Sequence, residues 1–377
     1  MRVLVDLLGY TGGRGGTETY VRELLSRLAV QLPDAAFVGL TGAAGADAVR
    51  AFFPGEVEVV RWVGEGRATW AVGEITRVNS LARHAGADVV WSPANFGPLT
   101  AGRVPRVVSV HDVIYHELPG AGFERAGRAV TAWLMARTAR SARRVVTVSS
   151  AAAEAITRHL GIPARDIALV YNGRSAISRS DDPWRVLAPL GITPGRRILF
   201  STGNRMPHKN FTGLLAALAE ISPDRRPVSV IAGGGPSDPL SASVERFRLD
   251  GDVVLPGWVS DEQLGALYQV ASVYACPSLS EGFGLPVADA LGAGVPVVAH
   301  DTAVLREVGG EYARYADATD PEDFAAALSA VLELDEETGD ALRAGGMAWA
   351  ERFTWDGAAG ELAAILREAA REGTLRD

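Results

Sequence analysis

Short apolar runs alternate with glycine-rich or polar turns and amphipathic stretches along most of this chain. In the first half, Val3–Leu7, Phe37–Leu40, Val57–Trp62, Asp88–Trp91, Arg106–Val110, Arg144–Val148 and Ile167–Tyr171 predict strands. Between the first two, Val21, Leu24, Leu25 and Leu28 recur at helical spacing and predict a helix from about Thr17 to Val30. Thr17 can cap that helix, and Glu18 sits in its first turn, where the helix dipole favours an acid.

The rhythm breaks between Asn172 and Arg197, where Asp181-Asp182-Pro183, Pro189 and Thr193-Pro194-Gly195 fall close together. This stretch reads as a connection between domains. A second series follows, with strands at Arg197–Ser201, Val228–Ala232, Val253–Leu255, Ser272–Cys276 and Val295–Ala299. Helices begin near Asn210, Asp238, Asp261, Pro286 and Thr302. Further helical patterns cover Pro321–Glu333, Asp335–Arg352 and, after Phe353-Thr354-Trp355, Asp356 to about Arg371. Strand–helix alternation of this kind implies parallel sheets covered by helices on both faces. The expected fold class is α/β: two doubly wound Rossmann-like domains facing across a cleft, with ligand at the carboxyl ends of the strands.

Composition agrees with that picture and narrows the function. At 377 residues the chain is long for one core, so two domains are expected. A net charge of −8 argues against nucleic acid as a partner. The single cysteine, Cys276, excludes an intramolecular disulfide and a cysteine-based metal cluster, and suits a reducing compartment. The first residues, Met1-Arg2-Val3-Leu4-Val5-Asp6, read as a strand and not as a signal peptide. No run approaches the ~18–20 apolar residues of a membrane span. A cytoplasmic location is expected. Arg125, Arg128, Arg137, Arg140, Arg143 and Arg144 surround Trp133, Leu134 and Met135. The Arg125–Arg144 segment offers either a solvated helix face or a weak peripheral contact with the inner face of the membrane.

The chemistry concentrates in four loops. Ser278-Leu279-Ser280-Glu281-Gly282-Phe283-Gly284-Leu285-Pro286-Val287-Ala288-Asp289 joins a strand to a helix. Pro286 suits a first helical position, so the amides of Phe283, Gly284 and Leu285 point forward from a helix N-terminus, a ready anion site. Glu281 and Asp289 flank it. Carboxylates repel phosphate, and hydroxyl groups fit them best. N–H groups for an anion beside carboxylates for hydroxyls describe a nucleotide-sugar site.

The second loop, Ser201 to Asn210, leaves the first strand of the second series and carries Arg205 and Lys209, two cations that can clamp a diphosphate and neutralise a leaving group. The third, Gly9 to Glu18, lets backbone approach a phosphate but fails the G-x-G-x-x-G dinucleotide fingerprint, since Glu18 occupies the sixth position counted from Gly13. The fourth, Ser109 to His116, places His111 at a strand's carboxyl end, where it can hydrogen-bond a sugar hydroxyl, with Asp112 to orient it or to bind a hydroxyl itself. Asp250-Gly251-Asp252 has the form of a D-x-D metal signature, yet it precedes a strand as a tight turn does. No acidic metal cage is evident, and no metal is expected.

Taken together, these segments resemble the retaining glycosyltransferases of family four, which have the GT-B fold. The resemblance covers nearly the whole chain. Ser278 to Asp289 is similar to the family's E-x7-E signature, Thr202 to Asn210 to its T-G-N-x-x-P-H-K-N segment, and Val170-Tyr171-Asn172-Gly173 to the end of its first domain. Phe353-Thr354-Trp355 resembles the point where the chain crosses back. The resemblance implies an N-terminal acceptor-side domain of residues 1–172 plus 356–377, a linker at 173–197 and a nucleotide-sugar donor domain at 198–355.

By position it implies that Glu281 binds donor-sugar hydroxyls, that Arg205 and Lys209 hold the diphosphate, and that Phe283, Gly284 and Leu285 hold sugar and phosphate. Gly16 lies near that phosphate, with Asn204 and Val259 also donor-side. His111 faces the sugar, and Asn95, Asp112 and Tyr115 belong to the acceptor side. The second signature carboxylate grips ribose. Here it is Asp289 where the family has Glu, one methylene shorter.

The implied reaction is metal-independent transfer of a hexosyl group, with retention, from a nucleotide-diphosphate sugar to a hydroxyl on a glycan, a lipid-linked intermediate or a secondary metabolite. That sugar is a co-substrate, and no cofactor is expected. The 204–210 segment is most like members that use GDP-mannose. Two alternatives stay open: a nucleotide-sugar epimerase or hydrolase of the same fold, and a catalytically dead nucleotide-sugar-binding regulator.

Overall fold

The computed structural model describes residues 1–13, 15–117 and 122–374. Arg14 of the glycine-rich loop, residues 118–121 and the Arg125 side chain lie outside the described residues. The chain forms two compact units, one of Met1–Gly173 with the chain from Thr354 onward, the other of Arg174–Phe353.

The first unit holds seven strands: β1 (Arg2–Leu7), β2 (Ala36–Gly42), β3 (Glu56–Val60), β4 (Val89–Ser92), β5 (Arg106–Ser109), β6 (Arg144–Thr147) and β7 (Ile167–Leu169). They lie in the order β3-β2-β1-β4-β5-β6-β7, every pair parallel. The second unit holds β8 (Ile198–Thr202), β9 (Val228–Ala232), β10 (Val253–Val254), β11 (Ala271–Cys276), β12 (Val297–His300) and β13 (Ala313–Ala316). Their order is β10-β9-β8-β11-β12-β13, again parallel. Each order reverses once, between β1 and β4 and between β8 and β11. At such a switch point adjacent strands send their loops to opposite sides and leave a crevice. The loops at 203–210 and 277–284 both leave the second switch point.

The strands form because both faces are buried: Val3, Val5, Val107, Leu199, Phe200, Val273 and Val298 are essentially inaccessible. β13 has no counterpart in the predicted elements. Its sequence, Ala-Arg-Tyr-Ala, buries only its two alanines well and carries no apolar run. The first helix is Gly16–Gln31, capped by Gly15 without a side-chain bond. Thr17, predicted as the cap, therefore lies in the first turn. Gly15 adopts φ 148°, which a side chain disfavours although nothing crowds the position.

Segment 174–197 carries a helix, Pro183–Leu187, capped by Asp182 and packed on the helix Asp261–Val270. Ser180 and Gln269 exchange two hydrogen bonds of 2.7 and 3.0 Å. The stretch read as a connection is thus, from Arg174 onward, built into the second unit. The final helix, Trp355–Thr374, belongs to the first unit and lies on Gly16–Gln31. Ala359, Leu362, Ala363, Leu366 and Ala369 form its buried stripe. The alanines allow close approach, and each leucine contributes roughly 1.5–3 kcal/mol by burial.

Under the first sheet lies a cluster that the apolar pattern hides. Asp6, Glu74 and Arg106 are almost fully buried. Asp6 and Glu74 hydrogen-bond each other, Ser92 donates to Asp6 at 3.0 Å, and the Trp70 indole donates to Glu74 at 3.0 Å. Burial raises both carboxyl pKa values, that of Glu74 well above the ordinary range with the Asp6 charge adding to it. Burial also lowers Arg106 to about 10 against the pull of both acids.

Candidate functional site

In the second unit, β8 and β11 are neighbours, so their loops meet. Lys209 closes the short helical turn Pro207–Lys209 after β8, and its Nζ donates to Glu281 Oε1 at 2.6 Å. The pair is largely enclosed, with side chains 16% and 12% exposed. Burial works against a charge on Glu281. Lys209, Ser278 and His208 outweigh it and hold the carboxyl below its ordinary value. Leu279 N–H donates to the His208 carbonyl at 2.8 Å, which fastens the two loops together. The pair is therefore a preformed cation and anion side by side, in a crevice where both act at reduced dielectric.

The helix after Glu281 runs Leu285–Gly292, with Pro286 in its first turn and Gly284 as cap at φ 94°. It begins one residue earlier than the proline predicts. Phe283 is buried and meets Phe353 edge to face at 5.3 Å, so its side chain anchors the turn that leads into the helix. Asn204 Oδ1 accepts from Met206 N–H at 3.3 Å and shapes the neighbouring loop. Val259 is half-buried in the loop that joins β10 to the helix Asp261–Val270, and the Gly257 carbonyl there accepts from Gly233 N–H at 2.7 Å.

Two of the predicted ligands already have partners within the chain. Arg205, read as half of the diphosphate clamp, is folded back onto Asp238, with 2.7 Å between Nη2 and Oδ2. The reason is topological: β9 is the neighbour of β8, and the loop after it brings Asp238 within reach. Asp289, read as the ribose carboxylate, accepts from Ser175 N–H at 2.6 Å and from Ser175 Oγ at 3.1 Å. Its shorter side chain thus ties the helix to the start of the second unit's chain. Asp289→Ala leaves both Ser175 donors without that acceptor and is expected to cost about 2–3 kcal/mol. Denaturant unfolding at neutral pH measures it, and wild-type stability in the variant would remove the tie.

In the first unit, His111 follows β5. Its Nε2 lies 2.7 Å from the Pro93 carbonyl, which can only accept, so Nε2 carries the proton and Nδ1 presents a lone pair. Burial pushes the ring down to about 4, and it is neutral at pH 7. Tyr20 packs against it edge-on at 4.5 Å. Asn95, at φ 65°, accepts from His111 N–H at 2.7 Å. Asn95, expected on the acceptor side, thus fixes the histidine backbone through its side-chain oxygen. Asp112 accepts from Ile114 N–H at 3.2 Å and starts the helix Ile114–Glu117. Arg128 stacks over the Tyr115 ring at 5.8 Å.

Gly16 opens the first helix. Glu18 beside it bonds Tyr10 and the Gly13 amide, and burial raises its pKa. A carboxyl group of the chain itself therefore occupies the Gly13 amide of this loop. Tyr20, Glu18, Asp238 and Ser175 were not singled out as site residues. No local spacing marks Tyr20, Asp238 or Ser175, whereas Glu18 stood in the glycine-rich loop already quoted.

The basic segment is less free than its composition implies. Arg143 pairs with Glu372, Arg144 with Glu368 at 2.8 Å, and Arg128 donates to the Ile114 carbonyl at 3.1 Å. Val130 and Trp133 are exposed on the helix Gly122–Ser141. No helix among the described residues is long and apolar enough to cross a membrane. Asp252 is held by Arg196 and Arg226 after a turn at Gly251. Among the described residues no three His, Cys, Asp or Glu side chains gather as a metal site.

Two family models match, "Glycosyltransferase Family 4" over residues 14–175 and "Glycosyl transferases group 1" over residues 184–346. With two doubly wound sheets beneath them, they decide the family. The chain belongs to the GT-B glycosyltransferases. This GT-B chain is similar to the O-antigen chain mannosyltransferase B of Escherichia coli, 35% identical over 41% of this chain and 41% of that protein. It is similar to a D-inositol 3-phosphate glycosyltransferase of Nocardioides, 28% identical over 96% of this chain and 87% of that one. Matches to three curated relatives span 41% to 56% of their length. The solved Anabaena HepE in complex with UDP and glucose shares the fold, with TM-score 0.76 and 18% identity over 97% of this chain and 98% of that one.

Proposed function

We propose that this GT-B chain transfers a hexosyl group, with retention of configuration, from a nucleoside-diphosphate sugar to a hydroxyl acceptor. The Lys209–Glu281 pair at the second switch point carries the reading: an ammonium suited to a diphosphate lies 2.6 Å from a carboxylate suited to sugar hydroxyls. The second unit takes the donor and the first the acceptor. The amides of Phe283, Gly284 and Leu285 hold the sugar and phosphate, and Asp289 meets ribose while sharing its oxygens with Ser175. His111, neutral with Nε2 committed to Pro93, accepts from a sugar hydroxyl through Nδ1.

In the step itself, the bond from the anomeric carbon to the phosphate oxygen breaks. The bond to the acceptor oxygen forms on the same face, and the acceptor proton passes to the departing phosphate. Lys209 and the helix start at Leu285 stabilise the growing phosphate charge. The mannosyltransferase relative and the 204–210 segment favour GDP-mannose as donor.

A thermal-shift series with UDP-, GDP- and dTDP-sugars tests the donor. A ligand at 100 times its Kd stabilises by about 2.7 kcal/mol, so the GDP sugar is expected to raise the midpoint most. A shift from no nucleotide sugar, with no transfer to any acceptor, would sink the reading.

A further inference from the structure

We propose that Asp238 is the positioning residue of the donor-phosphate loop: it engages Arg205, fixes the loop that presents Lys209, and withholds Arg205 from the diphosphate. This rests on the donor reading of Lys209 and Glu281. The argument is one of satisfiability. A guanidinium has five N–H donors. Arg205 Nε donates between both Asp238 oxygens, 3.0 Å from each. Nη1 donates to the carbonyls of Gly203 and Ala232 at 3.0 and 3.2 Å. Nη2 donates to the Ile231 carbonyl at 2.8 Å and to Asp238 Oδ2 at 2.7 Å. All five donors are spent within the protein, and a phosphate would have to break bonds to gain one.

The surroundings are built for the pair. The Arg205 and Asp238 side chains are 9% and 5% exposed, and the guanidinium stacks on Phe211 at 4.9 Å. A side chain at Gly234 would collide with Asp238 and crowd Arg205, and one at Gly233 would collide with the Gly203 backbone. Gly203 N–H donates to the Ala232 carbonyl at 3.1 Å, and Asp238 Oδ1 accepts from Leu240 N–H at 3.1 Å. The loops after β8 and β9 are thus clasped by one ion pair. Lys209, four residues beyond Arg205, inherits its position from that clasp.

The experiment compares R205M, R205K, D238N, the R205M/D238N double variant and K209M. Breaking the buried pair from either side lowers the thermal midpoint by about 5–10 °C, and the double variant is no worse than the worse single. Binding of GDP and GMP, and of UDP and UMP, is measured by calorimetry. In R205M and D238N the diphosphate weakens more than its monophosphate, by a factor that agrees within about threefold between the two variants and is smaller than the loss of about tenfold or more in K209M. In turnover, R205M and D238N lower kcat/KM by the same factor within about threefold, and by less than K209M does.

A diphosphate loss in R205M that D238N does not share, wild-type diphosphate binding in both folded variants, or additive stability losses would overturn the proposal. Should R205M not fold, R205K and D238N give the same readings. If the wild type binds none of the four nucleotides, the donor reading fails, while the stability cycle still decides whether the clasp exists.

Discussion

Replacing Lys209 by methionine is expected to lower transfer about a thousandfold and to cost about 3 kcal/mol of stability. Two effects of one charge add here. In the free protein the ammonium holds Glu281 below the ordinary carboxylate range against burial. Without it the carboxyl is left in an enclosed site 12% exposed, and burial is then free to raise its pKa. A lone buried charge is worse than none, so the variant folds less well and takes up a proton at Glu281. In the proposed reaction the same ammonium faces the phosphate as negative charge develops on it. Arg205 cannot stand in, because its donors are spent on Asp238 and three carbonyls.

Glu281→Gln separates the two effects. The amide keeps the shape and can still accept from Lys209 and from a sugar hydroxyl, so the stability loss is smaller than in K209M, about 1–2 kcal/mol, while transfer falls about a hundredfold. Steady-state kinetics and denaturant unfolding of both variants check the pair. Transfer within about threefold of wild type in folded K209M would dismiss the site assignment.

How much of this was legible depended on whether the information is local. Both series of strands were read nearly to their ends, because buried parallel strands announce themselves as continuous apolar runs. β13 was missed because an edge strand of small residues has no such signal. The loops at 203–210 and 277–284 were picked out by their residue types and by the family motifs they resemble, and their meeting follows from β8 lying beside β11. The partners of single polar side chains were not legible. Arg205 finds Asp238 33 residues on, and Asp289 finds Ser175 114 residues back. A sequence shows that Arg205 is a cation in a loop. Only the order of strands shows which anion reaches it first. The same holds for Asn95, whose left-handed backbone and bond to His111 depend on β4 and β5 lying side by side.

Stability of the first unit is expected to fall as pH rises, and Glu74→Gln to abolish that slope. Asp6 and Glu74 lie buried against each other, and burial, reinforced for Glu74 by the Asp6 charge, raises both pKa values. The sign follows directly. Above the ordinary carboxylate pKa the unfolded chain has released both protons, while the folded chain still holds one between the pair. The folded state then binds more protons, so raising the pH favours unfolding. The stability this shared proton gives is complete below the ordinary carboxylate pKa and is lost as pH rises through the folded value.

Glutamine at position 74 supplies a permanent N–H to Asp6 and keeps an oxygen for the Trp70 indole, which donates at 3.0 Å in the wild type. It removes the titrating group without removing the bonds. At about pH 9 the variant is expected to be about 2 kcal/mol more stable than wild type, with the difference vanishing toward about pH 4. Amide exchange across β1 and the helix Arg67–Thr76, followed between those limits, reads the first unit separately from the second. Parallel pH slopes in the two proteins would mean that the pair shares no proton. Asp6→Asn offers the complementary case: its amide can donate to Glu74, and the slope is again expected to flatten, because either half of a shared-proton pair suffices to break it.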